Sequence, residues 1–148
     1  MITTLDELRA SAGQHIGHSE WREITQHRID AFADAADDHQ WIHVDAARAL
    51  SGPFSTTIAH GYLTLSLLVP MFSELADIRD AAMGINYGLN KVRFPAPVPS
   101  GSKIRLGATL AAVNDIPGGL EAVVDTIIEI EGTAKPACVA QAVYRYYT

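Results

Sequence analysis

One cysteine stands among 148 residues. A single thiol excludes an intrachain disulfide and any zinc site built on cysteines. Positive charge is also scarce. The chain has 11 Lys and Arg against 17 Asp and Glu, a net −6, which argues against a general nucleic-acid binder. Long apolar runs are missing. Leu63 to Phe72 is the longest, and Thr64, Ser66 and Pro70 interrupt it. It falls short of the roughly 20 apolar residues that a membrane-spanning helix needs. No basic, apolar and small-residue series marks a signal peptide. These absences point to a soluble cytoplasmic protein with neither a membrane nor a nucleic-acid partner. There is no G-x-S-x-G elbow, no P-loop and no G-x-G-x-x-G before a helix. Cys138, beside Val139 in an apolar stretch, reads as buried ballast.

What is present is a globular composition, 48% hydrophobic, of a length that suits one domain. Leu5 to Ala10 reads as a short helix, and Trp21 to Ile24 as a short extended entry. Thr25 can cap a helix whose apolar residues Ile29, Phe32, Ala33 and Ala36 share a face; it should stop near Asp37 or Asp38. Asp45 can cap a small helix through Leu50, before Gly52 and Pro53 force a loop. Gly61 to about Leu75 is apolar almost all round, as a buried helix is, with Pro70 placed to kink it.

After Gly84 the period changes to two. Ile85, Tyr87 and Leu89 point one way, and Val92 and Phe94 continue one residue out of step, so a bulge is expected near Asn90 or Lys91. Ile104 to Leu110, Leu120 to Ile130 and Ala137 to Tyr147 read as further strands. Asn114 to Gly119 and Gly132 to Pro136 supply the turns. Helices first and a long meander afterwards give an α+β domain.

Two short segments carry chemistry. Asp38-His39-Gln40-Trp41-Ile42-His43 sets a carboxylate five residues before an imidazole, where a helical pattern ends. Ala59-His60-Gly61-Tyr62 sets a His-Gly pair at the start of the apolar run. A carboxylate and an imidazole can exchange protons with water near neutral pH. Free N–H groups in a first helical turn can stabilise charge on a carbonyl oxygen. Together they suit addition of water across a polarised double bond. The residues alone leave plainer alternatives: Asp38 as a helix terminator, His43 as a surface residue, Gly61 as a close-packing position. His39 and His43 stand four apart, but the Glu of an H-E-x-x-H site is absent, so no metal is expected.

The run Phe32 to Asp45 resembles the signature of the MaoC-like, (R)-specific enoyl-CoA hydratases (hydratase 2) of the hot-dog fold. That signature reads roughly aromatic, small residues, then Gly-Asp-x-Asn-Pro-Leu-His-x-Asp. Asp38, Gln40, Ile42, His43 and Asp45 fall on its positions. Asp37 stands where Gly is usual, Gln40 replaces Asn and Trp41 replaces Pro. The likeness continues through Gly61 and through Asn86 to Pro95, and covers the chain from about Ser19 to the end.

The resemblance implies a single hot-dog domain over residues 1–148, an antiparallel sheet wrapped around a long central helix. It implies reversible hydration of trans-2-enoyl-CoA to (R)-3-hydroxyacyl-CoA in fatty acid metabolism, with the CoA thioester as substrate and no cofactor. Asp38 and His43 would be the catalytic dyad and Gly61 the oxyanion-hole donor. Gln40, His60 and Tyr62 would shape the pocket. Asn86, Tyr87, Gly88 and Asn90 would border the acyl-thioester path, Tyr87 otherwise being core and Gly88 a bulge. Arg93, Lys103 and Arg105 would meet the CoA phosphates, or else be ordinary solvated strand charge. A homodimer is implied. Two other readings stay open. One is a hot-dog acyl-CoA thioesterase. The other is the non-catalytic subunit of a heterodimeric dehydratase, against which the retained dyad argues.

Overall fold

Caps and periodicity fix most of the elements. The computed structural model describes residues 1–148. Helix α1 (Leu5–Ala10) starts at Thr4, whose hydroxyl accepts from the Glu7 N–H. Two short strands follow, β1 (His15–His18) and β2 (Arg22–Glu23), both paired with a later strand. β1 is not anticipated by the sequence pattern. Helix α2 (Gln26–Ala36) is capped by Thr25, which accepts from the Arg28 N–H, and buries Ile29 and Ala33.

α2 ends where Asp37 takes the left-handed conformation, φ 56 and ψ 33. Glycine is the usual residue for such a turn, and Asp is among the few others that tolerate it. The chain then makes one unforeseen helical turn, α3 (Trp41–Val44). Trp41 is its first residue, a position where proline is favoured because the N–H has no helical partner. Trp41 therefore keeps the backbone path and adds a ring, packed under the Arg48 guanidinium at 4.3 Å. Asp45 caps α4 (Ala46–Leu50) by accepting from the Arg48 N–H.

The central apolar helix runs as two pieces, α5 (Gly61–Ser66) and α6 (Leu68–Ser73). Pro70 explains the break: it has no N–H for the Ser66 carbonyl, and its ring crowds that carbonyl. Both pieces are buried through Leu63, Leu68, Met71 and Phe72. Burying each such side chain fully is worth roughly 1.5–3 kcal/mol.

The sheet wraps that helix. β3 (Met83–Arg93), β4 (Lys103–Ile116), β5 (Gly119–Ile130) and β6 (Cys138–Tyr147) pair antiparallel in the order β1-β4-β5-β6-β3. Ile104, Leu106, Ala108 and Leu110 meet Ala122, Val124, Ile128, Ala140 and Ala142 in one core with the helix. The β3–β6 register slips between Leu89 and Lys91, at the expected bulge, and again between Asn86 and Gly88. The β4–β5 turn is tighter than expected. Strand pairing runs from Asn114 to Ile116, and only Pro117 and Gly118 connect Ile116 to its partner Gly119. A Pro followed by a left-handed Gly (φ 80) is what a type II turn requires. β3 is an edge strand, exposed at nearly every residue.

Candidate active site

The site assembles where α2 ends, α3 begins and α5 starts. His43 is buried, and its Nδ1 lies 2.7 Å from the Ile58 carbonyl. Nδ1–H must donate there, so the neutral ring presents a bare Nε2. Burial lowers the His43 pKa below the ordinary histidine value, and nearby His60 lowers it further. The Ile58 bond and Asp38 act the other way. A neutral imidazole with a free acceptor nitrogen is the form that can take a proton.

His60 is buried under the same site as the N-cap of α5. Its Nε2–H donates to the Asp38 carbonyl at 2.9 Å, which ties the end of α2 to the start of α5. Its ring stacks on His43 with centroids 3.8 Å apart and meets the Phe32 ring at a tilt, with centroids 4.9 Å apart. Its Nδ1 is buried without a partner, a cost of about 1–3 kcal/mol that the stacking and the Asp38 bond must offset.

Asp38 is exposed. A carboxylate oxygen of Asp38 and one ring nitrogen from each of His43 and His60 lie within 4.8 Å of one another. Two hydrogen bonds of about 2.8 Å meeting at a water's tetrahedral angle span about 4.6 Å, which lies inside that limit.

Gly61 is the first residue of α5, where N–H groups have no intrahelical acceptor. A Cβ there would sit 3.2 Å from two carbons of the Phe94 ring. A side chain at this position would need the Phe94 ring to give by a few tenths of an ångström. Two clefts meet at His43, Gly61 and Phe94. One, about 440 Å³, holds Asp38, His60, Tyr62 and Phe32. The other, about 360 Å³, is walled by Phe54, Ile58, Ala59, Ala96, Val98 and Ala137.

The sequence-predicted residues divide into two groups. Asp38, His43, His60, Gly61 and Tyr62 share the first cleft. Gln40 lies at its edge as the cap of α3, its N–H making a long 3.4 Å contact with Asp38 Oδ1. The others sit elsewhere in this chain. Asn86 and Gly88 line a separate hollow against Leu65, Leu68 and Val69. The Tyr87 ring lies under the Arg145 guanidinium at 3.3 Å. Asn90 donates to Gln141 at 2.7 Å, and Arg93 to the Val92 carbonyl. Arg105 is engaged by Glu129 at 2.7 Å and stacks on Trp21. Lys103 sits opposite Glu23 in the β2–β4 register. Cys138 is buried, and burial pushes its thiol up to about 11, which removes it as a nucleophile.

A hot-dog domain with a carboxylate and a neutral imidazole facing one small space defines the class. The chain belongs to the MaoC like domain family, which matches residues 7–132. It is 52% identical over 141 residues to 3-hydroxyacyl-thioester dehydratase Z of Mycobacterium tuberculosis, covering 95% of this chain and 93% of that protein. It is 45% identical over 141 residues to nodulation protein N of Rhizobium leguminosarum bv. viciae, covering 93% and 87%. The solved structure of an (R)-hydratase from A. caviae, involved in PHA biosynthesis, shares the fold with a TM-score of 0.73 and 24% identity. That match covers 87% of this chain and 94% of that one.

Proposed function

We propose that this protein is a hydro-lyase that reversibly adds water to a trans-2-enoyl-CoA, forming an (R)-3-hydroxyacyl-CoA in fatty acid metabolism. The observation that carries the reading is the Asp38–His43 pair. An exposed Asp38 carboxylate oxygen and a His43 ring nitrogen lie within 4.8 Å of each other beside the start of α5, and the His43 Nδ1–H is spent on Ile58. The dehydratase name of a relative 52% identical over nearly the whole chain supports the same chemistry.

In this reading the two acceptors hold one water by its hydrogens. Its oxygen attacks C3 as one of the pair takes a proton. The π electrons of the double bond move onto the thioester, and the enolate-like oxygen rests at the Gly61 N–H. The same pair returns a proton to C2, so no net proton is consumed. The thioester itself polarises C3 and acidifies C2, and the scheme asks for no metal or redox cofactor. The second, apolar cleft has room for the acyl tail.

The reading includes a homodimer acting in the cytoplasm. β3 offers an open edge with Met83, Ile85, Tyr87 and Leu89 all exposed. An unpaired edge of this length invites a second strand. Pairing through β3 would put Asn86 to Asn90 and Arg93 at the seam between two copies, where they could border a substrate path they do not reach alone. No helix is long and apolar enough to cross a membrane. The test is enoyl-CoA hydration across acyl lengths with chiral analysis of the product. An (R)-3-hydroxyacyl-CoA supports the reading. Free CoA released from a saturated acyl-CoA, with no hydration, would move the assignment to a thioesterase.

A further inference from the structure

The turn that carries His43 is too short to hold itself. α3 has four residues and no side-chain N-cap bond, and a single helical turn is not stable alone. Something else must fix the imidazole. Three segments meet behind it. The Ile58 carbonyl receives Nδ1–H, and the Ile58 N–H donates to the Ile42 carbonyl at 3.0 Å. The Gln26 amide, from the first turn of α2, donates to the His43 carbonyl at 2.8 Å. The buried Thr57 hydroxyl donates to the Gln26 Oε1. The path Gln26, His43, Ile58, Thr57 and back to Gln26 is a closed ring of hydrogen bonds and one peptide link.

The Gln26 amide has no freedom left in this ring. Its second N–H donates to Asp30 Oδ1 at 2.8 Å. Two acceptors lie on the nitrogen side and one hydroxyl on the oxygen side, so only one orientation satisfies all three. Neither Gln26 nor Thr57 lines the two clefts at His43. Their effect on the site passes entirely through His43 and Ile58.

We propose that Gln26 and Thr57 are positioning residues that hold the His43 ring, with Nδ1–H on Ile58 and Nε2 toward Asp38. The clamp does for this chain what local sequence does not, since Gln40 and Trp41 start α3 without a side-chain cap. The inference rests on the proposed use of His43, so its test needs one readout independent of turnover.

The experiment compares Thr57→Val with Thr57→Ser. Valine keeps the shape and leaves Gln26 Oε1 without its donor; serine restores the hydroxyl. Steady-state kinetics with enoyl-CoA should show kcat down by about tenfold or more in Thr57→Val, because small misplacements of a reacting group are costly. KM should stay within about twofold, since substrate contacts are intact. Thr57→Ser should restore kcat. Nitrogen-15 NMR of the His43 ring is the readout free of turnover: a pure Nδ1–H tautomer in the wild type and in Thr57→Ser, a mixture in Thr57→Val. If Thr57→Val does not fold, Gln26→Met, at a half-buried site, removes that bond together with those to the His43 carbonyl and Asp30, and reads the same way. An unchanged kcat with an unchanged tautomer in a folded variant overturns the clamp. So does a serine variant as impaired as the valine one. A wild type with no hydration of any enoyl-CoA defeats the functional reading instead and leaves the tautomer result to decide the clamp.

Discussion

The His43 and His60 rings stack 3.8 Å apart at 22°, yet each spends a different nitrogen on a backbone carbonyl. His43 uses Nδ1 on Ile58, and His60 uses Nε2 on Asp38. One backbone bond aims the imidazole; the other anchors the residue that carries the carboxylate. His60 is thus placed to hold both members of the dyad at once.

His60→Phe tests that role. The stack would survive and the bond to the Asp38 carbonyl would not. The expected result is a fall in kcat of about tenfold, from a carboxylate set loose by a fraction of an ångström. The variant also removes the His60 interaction that lowers the His43 pKa, so the His43 titration should move up. A histidine NMR titration reads this directly, and a downward shift would contradict the assigned contact.

The lowered His43 pKa has a sign that can be measured twice. A base that must be neutral loses activity only when protonated. The acid limb of kcat/KM should therefore fall below about pH 6.5, the ordinary histidine value. In stability the unfolded chain takes its proton near that ordinary value, and the folded ring takes it lower. The histidine's contribution is full above about pH 6.5 and is lost as pH falls through the folded value. Denaturant midpoints of wild type and His43→Gln should differ less as pH drops through that window.

Gly61 and Phe94 make a steric prediction. In Gly61→Ala the added methyl lies 3.2 Å from the Phe94 ring. The ring must shift by a few tenths of an ångström, across the point where the clefts meet. Activity should fall by about tenfold. A second change, Phe94→Leu, should recover part of it by freeing space. An additive loss in the double variant would sink this account of the glycine.

The open edge of β3 predicts an oligomer. Leu89→Lys places a charge on that edge, the device by which natural edge strands resist pairing. Light scattering should show a dimeric wild type and a variant shifted toward monomer, with hydration lost in parallel. A monomeric wild type at micromolar concentration with full activity would refute the seam.

The strands were legible because alternation is a local signal: Ile104 to Leu110 and Leu120 to Ile130 show it without help. Helix starts at Thr25 and Asp45 were legible for the same reason, since a cap acts within three residues. β1 was hidden. It has four residues, includes Gly17, and exists only by pairing with β4. α3 was hidden because a single turn has no period to detect. The Asp38, His43, His60 and Gly61 cluster showed through its motif spacing. Gln26, Thr57 and Ile58 did not, because they reach His43 only through tertiary contacts. Phe94 was read only as a strand residue continuing the alternation, not as a wall of the site.

The dyad itself is tested most directly by turnover of a trans-2-enoyl-CoA by Asp38→Asn, His43→Gln and the double variant. General acid–base groups each contribute about 10²–10⁴-fold. Because both residues act on one water, each single change should cost on that order, and the double change little more than the worse single one. Wild-type kcat in either folded single variant would contradict the account.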